Sequence, residues 1–196
     1  MFSEISIELK KRMDYLEVID RKDRTDGTTK DKRLRQITVD TGKFLSIMVV
    51  NVPEGDIIEI GTSTGYSTLW LAFAAKEIGR KVKTYEISVE KAALALETFK
   101  IAQLENHVEL IQGDFLQHAE QLEKIAFCFL DAEKEVYEPC FKSIASKIVK
   151  NGLIVADNAT DQYEGIKPMI ESASKDERFD CLTIPIGNGE FICRRK

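Results

Sequence analysis

From Asp56 onward the chain repeats one pattern, a short apolar run followed by an amphipathic stretch. The runs are DIIEI (56–60), KVKTYEI (81–87), HVELI (107–111), IAFCFLD (125–131) and GLIVAD (152–157). Runs that are apolar on both faces, such as 125–130, suit strands covered on both sides, which goes with parallel pairing and helical crossovers. The intervening stretches read as helices. Residues 66–78 are apolar nearly all round, which predicts a deeply packed helix. Residues 88–104 open on Ser88 as an N-cap and carry Ala92, Leu96 and Phe99 on one stripe. Residues 135–149 place Val136, Cys140, Ile144 and Ile148 in one row, with Tyr137, Phe141, Ala145 and Val149 beside it. The alternation predicts an α/β class, a doubly wound and mostly parallel sheet with right-handed crossovers. The end departs from it. FDCLTIPIG (179–187) and EFICRR (190–195) flank a Gly-Asn-Gly turn and predict a C-terminal antiparallel hairpin.

At 196 residues one domain is expected over 1–196, with a helical N-terminal segment (1–55) before the α/β core (56–196). The charged break at 20–35 is either a solvated loop or a lid over a site. A net charge of −5 gives no bulk attraction for nucleic acid, so no nucleic-acid partner is expected. No apolar run approaches the roughly 20 residues of a membrane span. The start, MFSEISIELKKR, lacks a basic-then-apolar export signal, so a cytoplasmic location and no membrane partner are expected. Cys128, Cys140, Cys181 and Cys193 show no CxxC spacing and read as reduced core thiols. His107 and His118 read as surface or loop residues.

Open α/β sheets bind ligands beyond the carboxyl ends of their strands. Here those ends carry Glu59, Gly61 and Gly65, then Glu86, then Gly113-Asp114, then Asp131, then Asp157-Asn158. Five strands delivering a carboxylate or a glycine turn to one edge mark that edge as the site. The turn in IIEIGTSTGYS (57–67) is no triphosphate loop, because Tyr66 stands where a P-loop needs lysine. It is no GxGxxG fingerprint either, since Gly61 and Gly65 are spaced GxxxG. The helix start at 66 can hold a carboxylate, and Glu86 lies where an acid meets ribose hydroxyls. An acid at Glu59 favours an ammonium. A ligand with a ribose, an amino-acid end and no phosphate fits, and S-adenosylmethionine (SAM) has these properties. Asp131, Asp157 and Asn158 form an all-oxygen donor set at adjacent strand ends, which suits Mg²⁺ or another divalent cation. Lys134 points toward the same edge from a helix start.

Together these motifs resemble those of the cation-dependent class I O-methyltransferases, the group of catechol and caffeoyl-CoA O-methyltransferases. EIGTSTGYS (59–67) is similar to their SAM loop, YEI (85–87) to the ribose-binding acid and the apolar residue after it, and QGD (112–114) to the turn beside adenine. FLDAEK (129–134) resembles the metal-binding aspartate with the catalytic lysine three positions on, and ADN (156–158) the other two metal ligands. PIGNGEFI resembles the last hairpin of bacterial members, and the likeness covers about residues 37–196. The resemblance implies a Rossmann-like SAM-binding sheet. It places Glu59, Gly61, Ser63, Gly65, Tyr66, Ser67, Glu86, Ile87, Gly113, Asp114, Phe115 and Asp131 at the cofactor. It assigns Asp131, Asp157 and Asn158 to the metal, and Lys134 with Asp131 to catalysis. The implied reaction is SN2 methyl transfer to a hydroxyl of a small molecule, such as a catechol or another vicinal diol, with a homodimer as one assembly state. Two other readings are a nucleic-acid or protein methyltransferase and a non-catalytic SAM-binding protein. DAEK, where amino-methylating DNA enzymes carry an Asn/Asp-Pro-Pro-aromatic tetrapeptide, speaks against the first. The set Asp131, Lys134, Asp157 and Asn158 speaks against the second.

Overall fold

The computed structural model describes residues 1–29 and 32–196. Two helices, α1 (Ile7–Asp23) and α2 (Val39–Val49), precede the sheet. The 20–35 break includes residues 30 and 31, which lie outside the described residues; before them α1 runs on to Asp23. Then follow β1 (Asp56–Ile60), α3 (Tyr66–Glu77), β2 (Val82–Glu86), α4 (Val89–Ile101), β3 (Val108–Gln112), the short α5 (Phe115–His118) and β4 (Ile125–Leu130). The chain closes with α6 (Tyr137–Ile144), β5 (Ile148–Ala156), α7 (Tyr163–Lys175), β6 (Phe179–Ile184) and β7 (Glu190–Arg195). The seven strands lie in the order β3-β2-β1-β4-β5-β7-β6. Strands β1 to β5 pair in parallel, and β7 inserts antiparallel between β5 and β6. This is the expected doubly wound sheet with its terminal hairpin.

Side chains alternate across the sheet, and each face carries its own core. Ile58, Ile60, Cys128, Leu130, Ile154 and Ala156 pack with residues of α6 and α7. Ile57, Phe127, Phe129 and Val155 pack with α1, α2 and α3. Each large side chain buried this way stabilises the fold by about 1.5–3 kcal/mol. The crossovers change side between β1 and β4. Their carboxyl ends therefore open a crevice, the place where open sheets take ligands.

Two elements differ from the sequence expectation. The stretch 135–149 holds a 3₁₀ turn and the two-turn α6, and the chain is already in β5 at Ile148. Val136, Cys140 and Ile144 do pack on the sheet, but Ile148 pairs with Ile125 as a strand residue. A short apolar run satisfies either period, and β-branched Ile148 and Val149 suit the strand. In α4, Ser88 caps the helix as expected, its hydroxyl accepting from the Lys91 N–H. The buried stripe is Ala92, Ala95 and Phe99, and Leu96 is 56% exposed. Small alanines let the helix lie close to the sheet and turn Leu96 outward.

The glycine turn after β1 needs its glycines. Gly61 has φ +100°, and a Cβ there would stand 2.0 Å from the Asp131 carbonyl oxygen. Gly65, with φ +89°, brings the start of α3 against the Phe99 ring. Gly61→Ala meets both a left-handed backbone and a backbone clash, so a loss above about 3 kcal/mol is expected. Urea unfolding of the variant measures it, and an unchanged midpoint would contradict this account of the turn.

Candidate active site

A cleft of about 790 Å³ lies over the strand ends, within the roughly 300–1,000 Å³ range of small-molecule sites. Gly61, Ser63, Tyr66, Ser67, Glu86, Ile87, Gly113, Asp114, Phe115, Asp131, Lys134, Asp157 and Asn158 all line it. Of the site residues expected from the sequence, Gly65 and Glu59 alone are absent from the lining. Glu86 ties two loops together: its carboxylate accepts from the Ser63 N–H at 2.7 Å and the Ser88 N–H at 2.9 Å. The Tyr66 ring is buried, and its hydroxyl donates to Glu17 of α1 at 2.7 Å. Asp114 caps α5 by accepting from the Leu116 N–H, and Phe115 stacks edge-on against Tyr85.

Glu59 corrects the expectation of an acid facing an ammonium in the cleft. It shares the face of Ile57, so strand alternation points it beneath the first turn of α3. It is fully buried, and its oxygens accept from the hydroxyls of Ser67, Thr68 and Thr84. Burial pushes its carboxyl up to about 7, against the pull of those hydroxyls. The folded state therefore holds a proton that the unfolded chain releases near 4.5. That stabilisation is complete below about 4.5 and is lost as pH rises through about 7. In Glu59→Gln the fall in Tm over this window becomes shallower. A slope unaltered by the substitution would remove Glu59 as its source.

On the other side of the crevice a polar cluster forms around Lys134. Its Nζ donates to Asn158 Oδ1 at 2.6 Å, the Tyr137 hydroxyl at 2.6 Å, the Ala132 carbonyl at 3.1 Å and Asp131 Oδ1 at 3.4 Å. Asn158 adopts φ +68° and is held by its neighbours. Its N–H donates to Asp157 Oδ1 at 2.7 Å, and its amide donates to Asp161 Oδ1 at 3.2 Å. Burial raises the Asp131 carboxyl, and Lys134 opposes the shift. Burial and then Asp131 push Asp157 up to about 7. The cluster thus draws positive charge.

Several residues of this site escape sequence reasoning. Tyr137, read as packing, is fully buried with its hydroxyl on Lys134; a buried tyrosine hydroxyl seeks such a partner. Glu190, the first residue of β7, follows the Ala156–Phe191 pair and so stands beside Asp157. It is fully buried, and neither carboxyl oxygen meets a donor among the described residues. Burial and then Asp157 push it up to about 10. A lone glutamate after a turn gives no sequence signal of this. Leu34 to Ile37 also line the cleft, strapped down by the Leu34 N–H on Asp23 at 2.7 Å, the Gln36 N–H on Asp20 at 3.0 Å and the Ser63 hydroxyl on the Leu34 carbonyl at 3.2 Å. Arg35 pairs with Glu133 across the cleft mouth.

Known proteins share this architecture and sequence. The O-methyltransferase family model matches residues 10–196. Tapetum-specific methyltransferase 1 of Arabidopsis thaliana is 28% identical over 181 residues, covering 81% of this chain and 77% of that protein. A caffeoyl-CoA O-methyltransferase of Medicago sativa is 26% identical over 200 residues, covering 84% and 81%. The O-methyltransferase of Bacillus cereus, solved in complex with SAH, superposes with a TM-score of 0.79 at 22% identity, covering 95% of this chain and 91% of that one. With the family model spanning both the glycine turn and the Lys134 cluster, the chain belongs to the O-methyltransferase family and is a SAM-dependent O-methyltransferase.

Proposed function

We propose that this O-methyltransferase depends on a divalent cation and methylates a small molecule bearing two neighbouring hydroxyls, such as a catechol. The observation that carries the reading is the convergence of Asp131 Oδ1 and Asn158 Oδ1 on Lys134 Nζ, with Asp157 adjacent. Among the described residues no three His, Cys, Asp or Glu side chains converge as a cation site. The donor set is instead mixed, two carboxylates and a carboxamide, which suits a hard cation with places left for substrate oxygens. Burial raises both aspartates, so a cation here relieves a cost the fold already carries.

Asp131, Asp157 and Asn158 would hold the cation, and Glu86, the 61–67 turn and the 113–115 turn would hold SAM. When bound, SAM supplies an electrophilic methyl group and the cation a Lewis acid that acidifies a coordinated hydroxyl. The chain's own groups do the rest. Glu86 would accept from the ribose diol, and the start of α3 would meet the amino-acid carboxylate. Lys134 Nζ takes the proton of the reacting hydroxyl, while Tyr137 and Asn158 fix its position. Holding both reactants in line is the larger effect, worth about 7–11 kcal/mol when well oriented. Relatives named for caffeoyl-CoA, whose caffeoyl group carries adjacent phenolic hydroxyls, support this acceptor class.

Titration calorimetry with SAM, with and without Mg²⁺ and a catechol, tests the reading. Methyl transfer that persists undiminished with a chelator removes the cation. A screen over mono- and dihydroxylated compounds that favours isolated hydroxyls removes the acceptor class. Glu86→Ala loses a charge-assisted hydrogen bond worth about 1.5–3 kcal/mol, so SAM binding weakens about 10–150-fold. Unchanged SAM affinity in that variant would take Glu86 out of the cofactor site.

A further inference from the structure

The β6–β7 hairpin carries a second reactive pair. Cys181 and Cys193 stand directly opposite each other in its register. The Lys196 N–H donates to the Arg178 carbonyl at 3.0 Å, which makes 178 and 196 a hydrogen-bonded pair. Hydrogen-bonded and non-hydrogen-bonded pairs alternate along an antiparallel ladder, so 181 and 193 are a non-hydrogen-bonded pair. Cα atoms in such pairs lie about 4.5 Å apart, inside the roughly 4.4–6.8 Å range of disulfides. Both thiols are free and face α7. Cys193 is buried, whereas Cys181 is partly exposed and its thiol donates to the Ala173 carbonyl at 3.6 Å. The two thiols interact across the ladder, which lowers the Cys181 pKa and raises that of Cys193. An accessible, more acidic thiol beside a buried one is the layout of an attacking and a resolving cysteine. Burial pushes the Cys128 and Cys140 thiols upward, and neither is accessible.

We propose that Cys181 and Cys193 form a thiol-oxidation site that closes to a cross-strand disulfide, with a hydroperoxide as its two-electron oxidant. The Cys181 thiolate attacks a peroxide oxygen, the O–O bond breaks, and a sulfenic acid forms as water or an alcohol leaves. The Cys193 sulfur then attacks the Cys181 sulfur. The S–S bond forms, the S–O bond breaks, and the hydroxyl departs as water with the Cys193 proton. Two thiols are oxidised and one peroxide is reduced. The hairpin turn grips the loop after β5, with the Ala159 N–H on the Gly189 carbonyl at 2.8 Å and the Thr160 N–H on the Asn188 carbonyl at 3.0 Å. The disulfide therefore fixes the element that holds the Asp157-Asn158 loop.

The test treats the full chain with equimolar hydrogen peroxide and follows intact mass, thiol alkylation under denaturing conditions and peptide mapping. The expected result is the loss of two hydrogens, protection of two of the four thiols, and a peptide linking 181 to 193, all reversed by a dithiol reductant. Cys128→Ser retains the loss. Cys181→Ser, altered at the partly exposed position, abolishes it and leaves Cys193 open to alkylation. Four alkylatable thiols after treatment, a stable sulfenic or sulfinic product, a link through Cys128 or Cys140, or a covalent dimer would each overturn the proposal.

Discussion

Lys134→Ala lowers kcat for methyl transfer by about 10²–10⁴-fold, the range of a lost general base, and leaves SAM binding within about twofold. The split follows from where Nζ sits. It donates to Asn158, Tyr137, Ala132 and Asp131, and among the described residues none of its hydrogen bonds goes to the 61–67 turn or to Glu86. On the proposed role its loss acts on the reacting hydroxyl, while Glu86 and the 61–67 turn, which would hold SAM, stay in place. Lys134→Arg separates two roles. An arginine keeps the positive charge on Asp131 but does not give up or take a proton near neutral pH. A proton-accepting Lys134 leaves the arginine variant as slow as the alanine one. Recovery of most of the rate by arginine would make Lys134 an electrostatic and positioning group instead. Steady-state kinetics with SAM and a catechol distinguish the two.

Strands β1 and β4 were legible because they are buried on both faces. Phe127 and Phe129 point to one core and Cys128 and Leu130 to the other, so no amphipathic helix reads that way. The glycine turn was legible because left-handed φ at Gly61 and Gly65 restricts the residue choice. Asp131, Asp157 and Asn158 were legible as strand-end acids and amide, and the sheet brings them to one edge of the cleft. The direction of a side chain at a strand end is a different matter. Glu59 and Glu86 are both acids near a strand end, yet Glu59 lies under α3 and Glu86 faces the cleft. Which one faces the ligand depends on strand phase relative to the turn, and that phase is set by packing. Glu190 was invisible because its neighbour Asp157 is 33 residues away in sequence and meets it only through β5–β7 pairing.

That pairing leads to an opposite outcome for stability and activity in Asp157→Asn. Asp157 and Glu190 are two buried carboxyls side by side, with burial pushing them up to about 7 and about 10. Both shifts raise an acid's folded-state pKa, so the folded protein binds protons more tightly than the unfolded chain. Stability is full below about 4 and is lost as pH rises through about 7 and toward about 10. Asparagine keeps an oxygen to accept from the Asn158 N–H, which in the wild type donates to Asp157 Oδ1, while removing one of the crowded carboxyls. Without added cation, Asp157→Asn is therefore more thermostable than the wild type near pH 8, and the gap closes toward pH 5. Its gain from added Mg²⁺ shrinks, and methyl transfer falls more than about 100-fold, because a charged oxygen donor is gone. Differential scanning calorimetry across pH, with and without Mg²⁺, reads the first effect, and a methyl-transfer assay the second. A variant less stable than the wild type at pH 8 would mean that Asp157 is held by favourable partners rather than against repulsion. A variant of undiminished activity would remove Asp157 from the catalytic centre. Under the proposed cation dependence, the crowding of carboxyls next to Lys134 is a stability sacrificed to hold a metal.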